Sequence, residues 1–193
     1  YFITPSPKNL TEENPVYQID MNDRHSTRNR SLLGTTVNWS ITPQLRMGGA
    51  LSYDRSNRLW RNYYPKGYRT ANPSLSLNDG NLTKSTTDEE SINGNIGLTY
   101  ATQLGDMDFI STGRYTYESY DYSYHSGNAY KLAVGDVPQL STGSEKSVSS
   151  SNQITNADAF SIQAQVDYLD RYILDVTARQ DRSSLFGPEE RVN

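Results

Sequence analysis

Phe160-Ser161-Ile162-Gln163-Ala164-Gln165-Val166-Asp167-Tyr168, followed by Tyr172-Ile173-Leu174-Asp175-Val176-Thr177-Ala178-Arg179-Gln180, is the stretch that decides the fold. In the first run every second residue is apolar, from Phe160 to Tyr168, and Ser161, Gln163, Gln165 and Asp167 lie between them. Side chains alternate across a strand with period two, so such a run is a β-strand with one greasy and one wet face. The second run repeats the pattern through Tyr172, Leu174, Val176, Ala178 and Gln180. Leu169-Asp170-Arg171 joins them at hairpin length and connects even positions to even positions. Both apolar sets therefore fall on the same face of the pair.

Working outward, four more segments alternate in the same way. Their apolar series are Leu33 to Ile41, Leu45 to Tyr53, Ile92 to Tyr100 and Met107 to Tyr117. None of these series contains a charged residue, although 21% of the chain is charged. The interleaved positions hold Asn38, Arg46, Asp54, Asn93, Asn95, Asp108, Arg114 and Glu118. The pattern predicts six antiparallel strands in meander order, over 31–41, 45–58, 90–102, 107–122, 158–169 and 171–182.

The connections alternate in length. Thr42-Pro43-Gln44, Gln103-Leu104-Gly105-Asp106 and Leu169-Asp170-Arg171 are short, with Pro43 and Gly105 supplying turn chemistry. The connections over 59–89 and 123–157 are long and rich in Ser, Thr, Asn, Gly and Pro, as in Asn72-Pro73-Ser74 and Ser141-Thr142-Gly143-Ser144. Residues 1–30 read as a loop leading into the sheet, because Pro5, Pro7 and Pro15 oppose regular pairing and 23–30 are charged. Short turns at one end and long loops at the other is the asymmetry of outer-membrane barrels.

Composition narrows the classes of function. The chain has 193 residues, no cysteine and a net charge of -4. Disulfides, thiolate metal sites and thiol nucleophiles are excluded together. With no basic stripe to neutralise phosphates, the balance argues against a nucleic-acid partner. No apolar run reaches the length of a membrane-spanning helix, which leaves a barrel span open. Tyr1-Phe2-Ile3-Thr4-Pro5 has neither the basic nor the apolar part of an export signal, so an exported protein would have its true beginning elsewhere.

Two segments carry a family resemblance. Asn14-Pro15-Val16-Tyr17, with Arg28-Asn29-Arg30 and the strand from Leu32 to Ile41, resembles a stretch in the middle of SusC/RagA-type TonB-dependent outer-membrane transporters. More specific is the run from Asp170-Arg171-Tyr172 through Arg179-Gln180-Asp181-Arg182-Ser183-Ser184 to Phe186-Gly187-Pro188. It is similar to that family's DRYxLxxxxRxDGSSxFGP strand and loop, with Arg182 where the family usually has Gly. The resemblance implies an all-β, antiparallel up-and-down transmembrane barrel segment, about six strands of a 22-stranded barrel with a plug in its lumen. It implies import of glycans or oligopeptides driven by TonB, in the outer membrane of a Gram-negative cell, with a SusD-like surface lipoprotein over the barrel. Residues 1–193 would then be one partial barrel, without recognisable plug or TonB-contacting segment. Its partners would be the remaining strands and plug of the same protein and the outer-membrane lipid.

Tyrosine is abundant, at 15 residues, and clustered. Trp60, Tyr63, Tyr64 and Tyr68 follow the second strand, and Tyr115, Tyr117, Tyr120, Tyr122, Tyr124 and Tyr130 run from the fourth strand into its loop. One reading is a girdle at the membrane interface. The other is a stacking surface for sugars or peptides on the outer loops. On the second reading the candidate ligand contacts are Trp60, Tyr63, Tyr64, Tyr120, Tyr122, Tyr124 and His125. The charges on the wet face, among them Arg46, Asp54, Asp108, Arg114, Asp167, Asp175 and Arg179, line either solvent or a lumen.

Catalysis and cofactors find no residue set. His25 and His125 lie in separate segments without a sequence partner for a triad or a metal, and read as hydrated side chains. Asp79-Gly80-Asn81 lacks the remaining ligands of a calcium loop and reads as a turn. Asn9, Asn38 and Asn81 begin glycosylation sequons that a bacterial outer-membrane protein would ordinarily leave unmodified. The rival to the transporter segment is a soluble secreted β-sandwich for binding or adhesion, whose strands would also be greasy on one face. Alternating short turns and long loops favour the barrel over Greek-key crossovers.

Overall fold

A computed structural model describes residues 2–4, 8, 11–72 and 74–185. One short helix, α1 (Pro15–Met21), precedes six strands: β1 (Asp23–Ser40), β2 (Leu45–Tyr64), β3 (Asn81–Leu104), β4 (Met107–Leu132), β5 (Gly143–Tyr168) and β6 (Tyr172–Ser183). They form a single open antiparallel sheet in the order β1-β2-β3-β4-β5-β6. Up-and-down order is what the short turns require, and among the described residues no second sheet packs across it as a sandwich would demand.

The hairpin quoted first has the register its pattern demands. Phe160 stands opposite Gln180, Ile162 opposite Ala178, Ala164 opposite Val176, Val166 opposite Leu174 and Tyr168 opposite Tyr172. The turn itself is unusual, because Leu169 (φ 60°) and Asp170 (φ 53°) both take the left-handed region without being glycine. Gly105 (φ 65°) serves the β3–β4 turn without that cost. Arg182, where the resemblance has Gly, is an ordinary strand residue opposite Asp158 and ion-paired to it at 2.5 Å. Phe186, Gly187 and Pro188 of the same motif lie outside the described residues, as do Pro5, Pro7, Asn9 and Pro73.

The strands run further than alternation indicates. The spans expected as loops, 59–89 and 123–157, are strand except for 65–80 and 133–142. The physical reason is that apolar residues in these extensions are few and scattered, as in Ser144 to Asn152 where Val148 is the one apolar side chain, so they carry no sustained period-two signal, while ladder hydrogen bonds do not depend on it. The span 1–30 is likewise not all loop, since β1 begins at Asp23 and α1 lies before it. Pro15 opens that helix at its first position, where no N–H is needed, and the Asn14 side chain accepts from the Val16 N–H at 2.9 Å.

The chain clusters into two compact units. The cored unit comprises 1–29, 56–88 and 123–152. In it Tyr63, Leu82, Ala129 and Leu132 form a buried cluster with Leu140 packed against it. Gly80 (φ 86°) turns the chain there, and a Cβ on it would meet Leu132 Cγ and the Lys66 nitrogen at 3.0 Å. The open unit comprises 30–55, 89–122 and 153–193. Among its described residues none is buried. Val37 is 53% exposed, Ile96 50% and Leu174 62%.

Candidate functional site

In the open unit the wet face is tied together by pairs between strands and along β6. Arg30 grips Asp54 with two nitrogens, at 2.9 and 2.5 Å. Thr99 meets Thr112 at 3.1 Å, and Gln163 Nε2 donates to Asp175 Oδ2 at 3.0 Å. Along β6, Arg179 holds Asp181 at 2.7 Å. Asp167 Oδ1 is buried with no hydrogen-bond partner among the described residues. The greasy face gives way to polar pairs at its edge. There Tyr53 Oη donates to Glu90 at 3.0 Å, Ser119 Oγ to Asn156 at 2.8 Å, and Arg182 pairs with Asp158.

In the cored unit an open cleft of about 480 Å³ is lined by Glu13, Gln18, Ile19, Asn22, Arg24, Tyr64, Tyr68 and Leu77. Capping by Asn14 starts α1 so that Tyr17, its one buried residue, reaches the loop after β2. There the Tyr17 hydroxyl accepts from the Arg69 N–H at 2.8 Å. The Tyr17 and Tyr68 ring centroids are 5.3 Å apart, and Tyr68 meets Tyr64 edge-on at 4.9 Å. Glu13 Oε2 accepts from Gln18 Nε2 at 2.9 Å and from the Tyr68 hydroxyl at 3.3 Å. Arg24 donates to Asn62 Oδ1 at 3.2 Å and to the Tyr64 hydroxyl at 3.3 Å. Burial, then the charge of Glu13, holds the Tyr68 phenol well above its usual range. The cleft thus offers a carboxylate, a guanidinium, two amides, one partly open ring and two aliphatic side chains, a set suited to a polar ligand with some apolar surface.

The sequence-derived candidates separate. Tyr64 lines the cleft, and Trp60 is half-buried four residues earlier, on the same parity of β2. Tyr63 takes the opposite parity into the core, where its hydroxyl donates to the Gly135 carbonyl. Burial and then the charges of Asp136 and Asp23 hold its phenol high as well. In the open unit Tyr120 is exposed and reaches Glu89 at 3.5 Å, and Tyr122 is half-buried on the same parity of β4. In the cored unit Tyr124 is half-buried, while His125 is exposed and its Nε2 lies 3.0 Å from Ser123 Oγ. His25 similarly meets Thr27 two residues along its own strand, at 3.0 Å.

Sequence reasoning did not select Glu13, Tyr17, Asn22, Arg24 or Tyr68 as site residues. The signal available was Asn14-Pro15, a helix start that brings Tyr17 to Tyr68. Among the described residues no group of three or more His, Asp or Glu stands close enough to hold a metal ion.

An antiparallel meander bearing one exposed apolar face has the form of a β-barrel wall segment. In particular, the chain is similar to the RagAB peptide transporter, with a TM-score of 0.83 and 14% identity over 100% of this chain and 21% of that one. The RagAB peptide importer matches in its "closed-closed" state (TM-score 0.83, 14% identity, 94% and 20% of the two chains) and in its "open-open" state (0.82, 14%, 100% and 21%). The chain therefore spans about a fifth of the length of these structures, and the likeness establishes its fold. No family model and no curated relative matches the chain.

Proposed function

We propose that this chain is a wall segment of an outer-membrane nutrient importer of the SusC/RagA kind, which takes up glycans or oligopeptides with energy delivered by TonB. The observation that carries the reading is the uncovered apolar face of the open unit, bounded by short turns and by a row of polar pairs. Exposed apolar surface of this extent marks a partner, and here the partner is lipid hydrocarbon, because the alternation and strand order are those of a barrel wall. The wet face then looks into the lumen, where a plug packs against its hydrogen-bonded charges. A SusD-like lipoprotein covers the outer end, and substrate meets Trp60, Tyr64, Tyr120, Tyr122, Tyr124 and the cleft beside Tyr68.

The role is transport rather than catalysis, and it calls on no cofactor. Fractionation of cells that express the whole protein tests it. Recovery with the outer membrane, released only by detergent, supports the reading, and a stable soluble monomer overturns it. Alanine replacement of Trp60, Tyr64, Tyr120, Tyr122 and Tyr124 is expected to lower substrate uptake at unchanged surface level. Normal uptake would leave those rings as packing or lid contacts.

A further inference from the structure

We infer that the cleft beside Tyr68 in the cored unit captures the N-terminus of an oligopeptide, its ammonium at Glu13 and its first carbonyl at Arg24, which narrows the substrate of the importer proposed above and rests on that reading. Glu13 and Arg24 are the charged residues of the cleft lining. Glu13 is half-buried and accepts through Oε2, from Gln18 Nε2 at 2.9 Å and from the Tyr68 hydroxyl at 3.3 Å. Arg24 is exposed and donates through Nε to Asn62 and through one terminal nitrogen to the Tyr64 hydroxyl. All four partners are neutral, so they orient the two side chains without cancelling their charge. Among the described residues neither Glu13 nor Arg24 has an ion-pair partner, whereas Arg61 and Lys131 of the same unit hold Asp23 and Glu145.

The bonds made within the protein leave Glu13 Oε1 and the second terminal nitrogen of Arg24 for a ligand. Such a ligand brings a cation to Glu13 and an acceptor to Arg24. A bare amine meets the like charge of Arg24 in the same cleft, and a bare acid meets that of Glu13. The first residue of a peptide carries both required groups, with its carbonyl oxygen roughly 3 to 4 Å from the ammonium nitrogen by covalent geometry. Ile19 and Leu77 offer aliphatic surface to its side chain. The cleft volume of about 480 Å³ lies inside the range of about 300 to 1,000 Å³ usual for small-ligand sites, so the end of a peptide fits while its open side lets the rest of the chain continue outward.

Burial selects which end of the peptide enters. A C-terminal carboxylate would pair with Arg24, which is exposed and screened by water, and would give Glu13 only an amide N–H. An N-terminal ammonium neutralises the half-buried acid instead, where a charge-assisted hydrogen bond is stronger. Sugar hydroxyls could bond both groups but would neutralise neither.

The test uses the whole protein purified in detergent and a hexapeptide that begins with leucine and carries its label on a lysine side chain near the other end. The peptide is offered in its free form, N-acetylated, and as the C-terminal amide, with unlabelled maltohexaose as a competitor. The free form is expected to bind about tenfold more tightly than the acetylated one, and the amide to bind like the free form. Glu13→Gln keeps an acceptor for Gln18 and Tyr68 and is expected to bring the free peptide down to the acetylated level. Arg24→Gln is expected to weaken both forms alike, because the carbonyl it takes is present in each. Equal binding of free and acetylated peptide, a larger loss on amidation than on acetylation, or a preference that survives Glu13→Gln overturns the inference. No effect of Arg24→Gln on either form overturns the role given to Arg24, and displacement of the peptide by maltohexaose overturns the peptide assignment. Heat-modifiable mobility and outer-membrane yield are measured alongside. A protein that assembles in the membrane but ignores acetylation sinks this inference alone, while one that never reaches the membrane sinks the importer reading. Should Glu13→Gln fail to assemble, the comparison of free, acetylated and amidated peptide on the native protein decides.

Discussion

In the cored unit Tyr63, Leu82, Ala129 and Leu132 turn toward one another and lose nearly all their exposure, while in the open unit Val37, Leu51, Ile96 and Leu174 keep half of theirs or more. The strands of both units are hydrogen-bonded in the same sheet, so the difference is not one of secondary structure. It lies in what covers the apolar side chains. The segments 65–80 and 133–142 supply Gly80, Gly135 and Leu140 to a small core in the first case. No segment among the described residues does so in the second. A sheet with a bare apolar face is stable only beside further strands and a low-dielectric medium, which is the condition a membrane barrel provides.

The largest expected effect breaks the open unit. Replacing Val37, Ile96 and Val166 together with Arg is expected to abolish outer-membrane assembly, at about 2 to 4 kcal/mol per mid-bilayer site, while Arg at Asn38, Asn95 and Gln165 leaves assembly near normal. Heat-modifiable mobility of membrane fractions reads the outcome, and equal damage on both faces would contradict the lipid assignment. Next comes the cored unit. Leu82→Ala removes a fully buried side chain and is expected to cost about 2 to 3 kcal/mol locally, opening the surrounding segments to protease while assembly persists. Tyr63→Phe is milder, at about 1 kcal/mol for the hydroxyl bond to Gly135.

A pH titration sharpens the contrast further. Tyr63 and Tyr68 hold their protons above the usual phenol value near 10, so their contribution is complete below that value and is lost as pH rises through the elevated folded-state values. Ultraviolet difference spectra should show late-titrating tyrosines that disappear in a Tyr63→Phe, Tyr68→Phe variant. The smallest effect belongs to Arg182→Gly. It restores the residue usual in the resembling family and deletes an ion pair between an exposed Arg182 and a half-buried Asp158, worth roughly 0 to 1 kcal/mol, so thermal stability should scarcely move.

The chain's own residues made much of the open unit legible. Alternation located all six strands, and the parity of Leu169-Asp170-Arg171 anticipated the register that places Val166 opposite Leu174. The candidate site was less legible. Tyr63 and Tyr64 are neighbours of the same type, yet one fills the core and the other lines the cleft, because adjacent strand residues point to opposite faces. Choosing between them from sequence requires knowing that β2 continues to Tyr64, and the polar residues around it give no periodic sign of that.

What the sequence by itself determined is therefore the period-two pattern, the short turns and the strand order they impose, since these depend on side chains two to a dozen residues apart. What only the tertiary structure decided is how far the strands run and that Tyr17, Tyr64 and Tyr68 meet beside Arg24. The cleft rests on side-chain contacts between residues far apart in sequence, Arg24 with Tyr64 at 40 positions and Tyr17 with Arg69 at 52, and the strand ends rest on ladder bonds, neither of which local periodicity encodes.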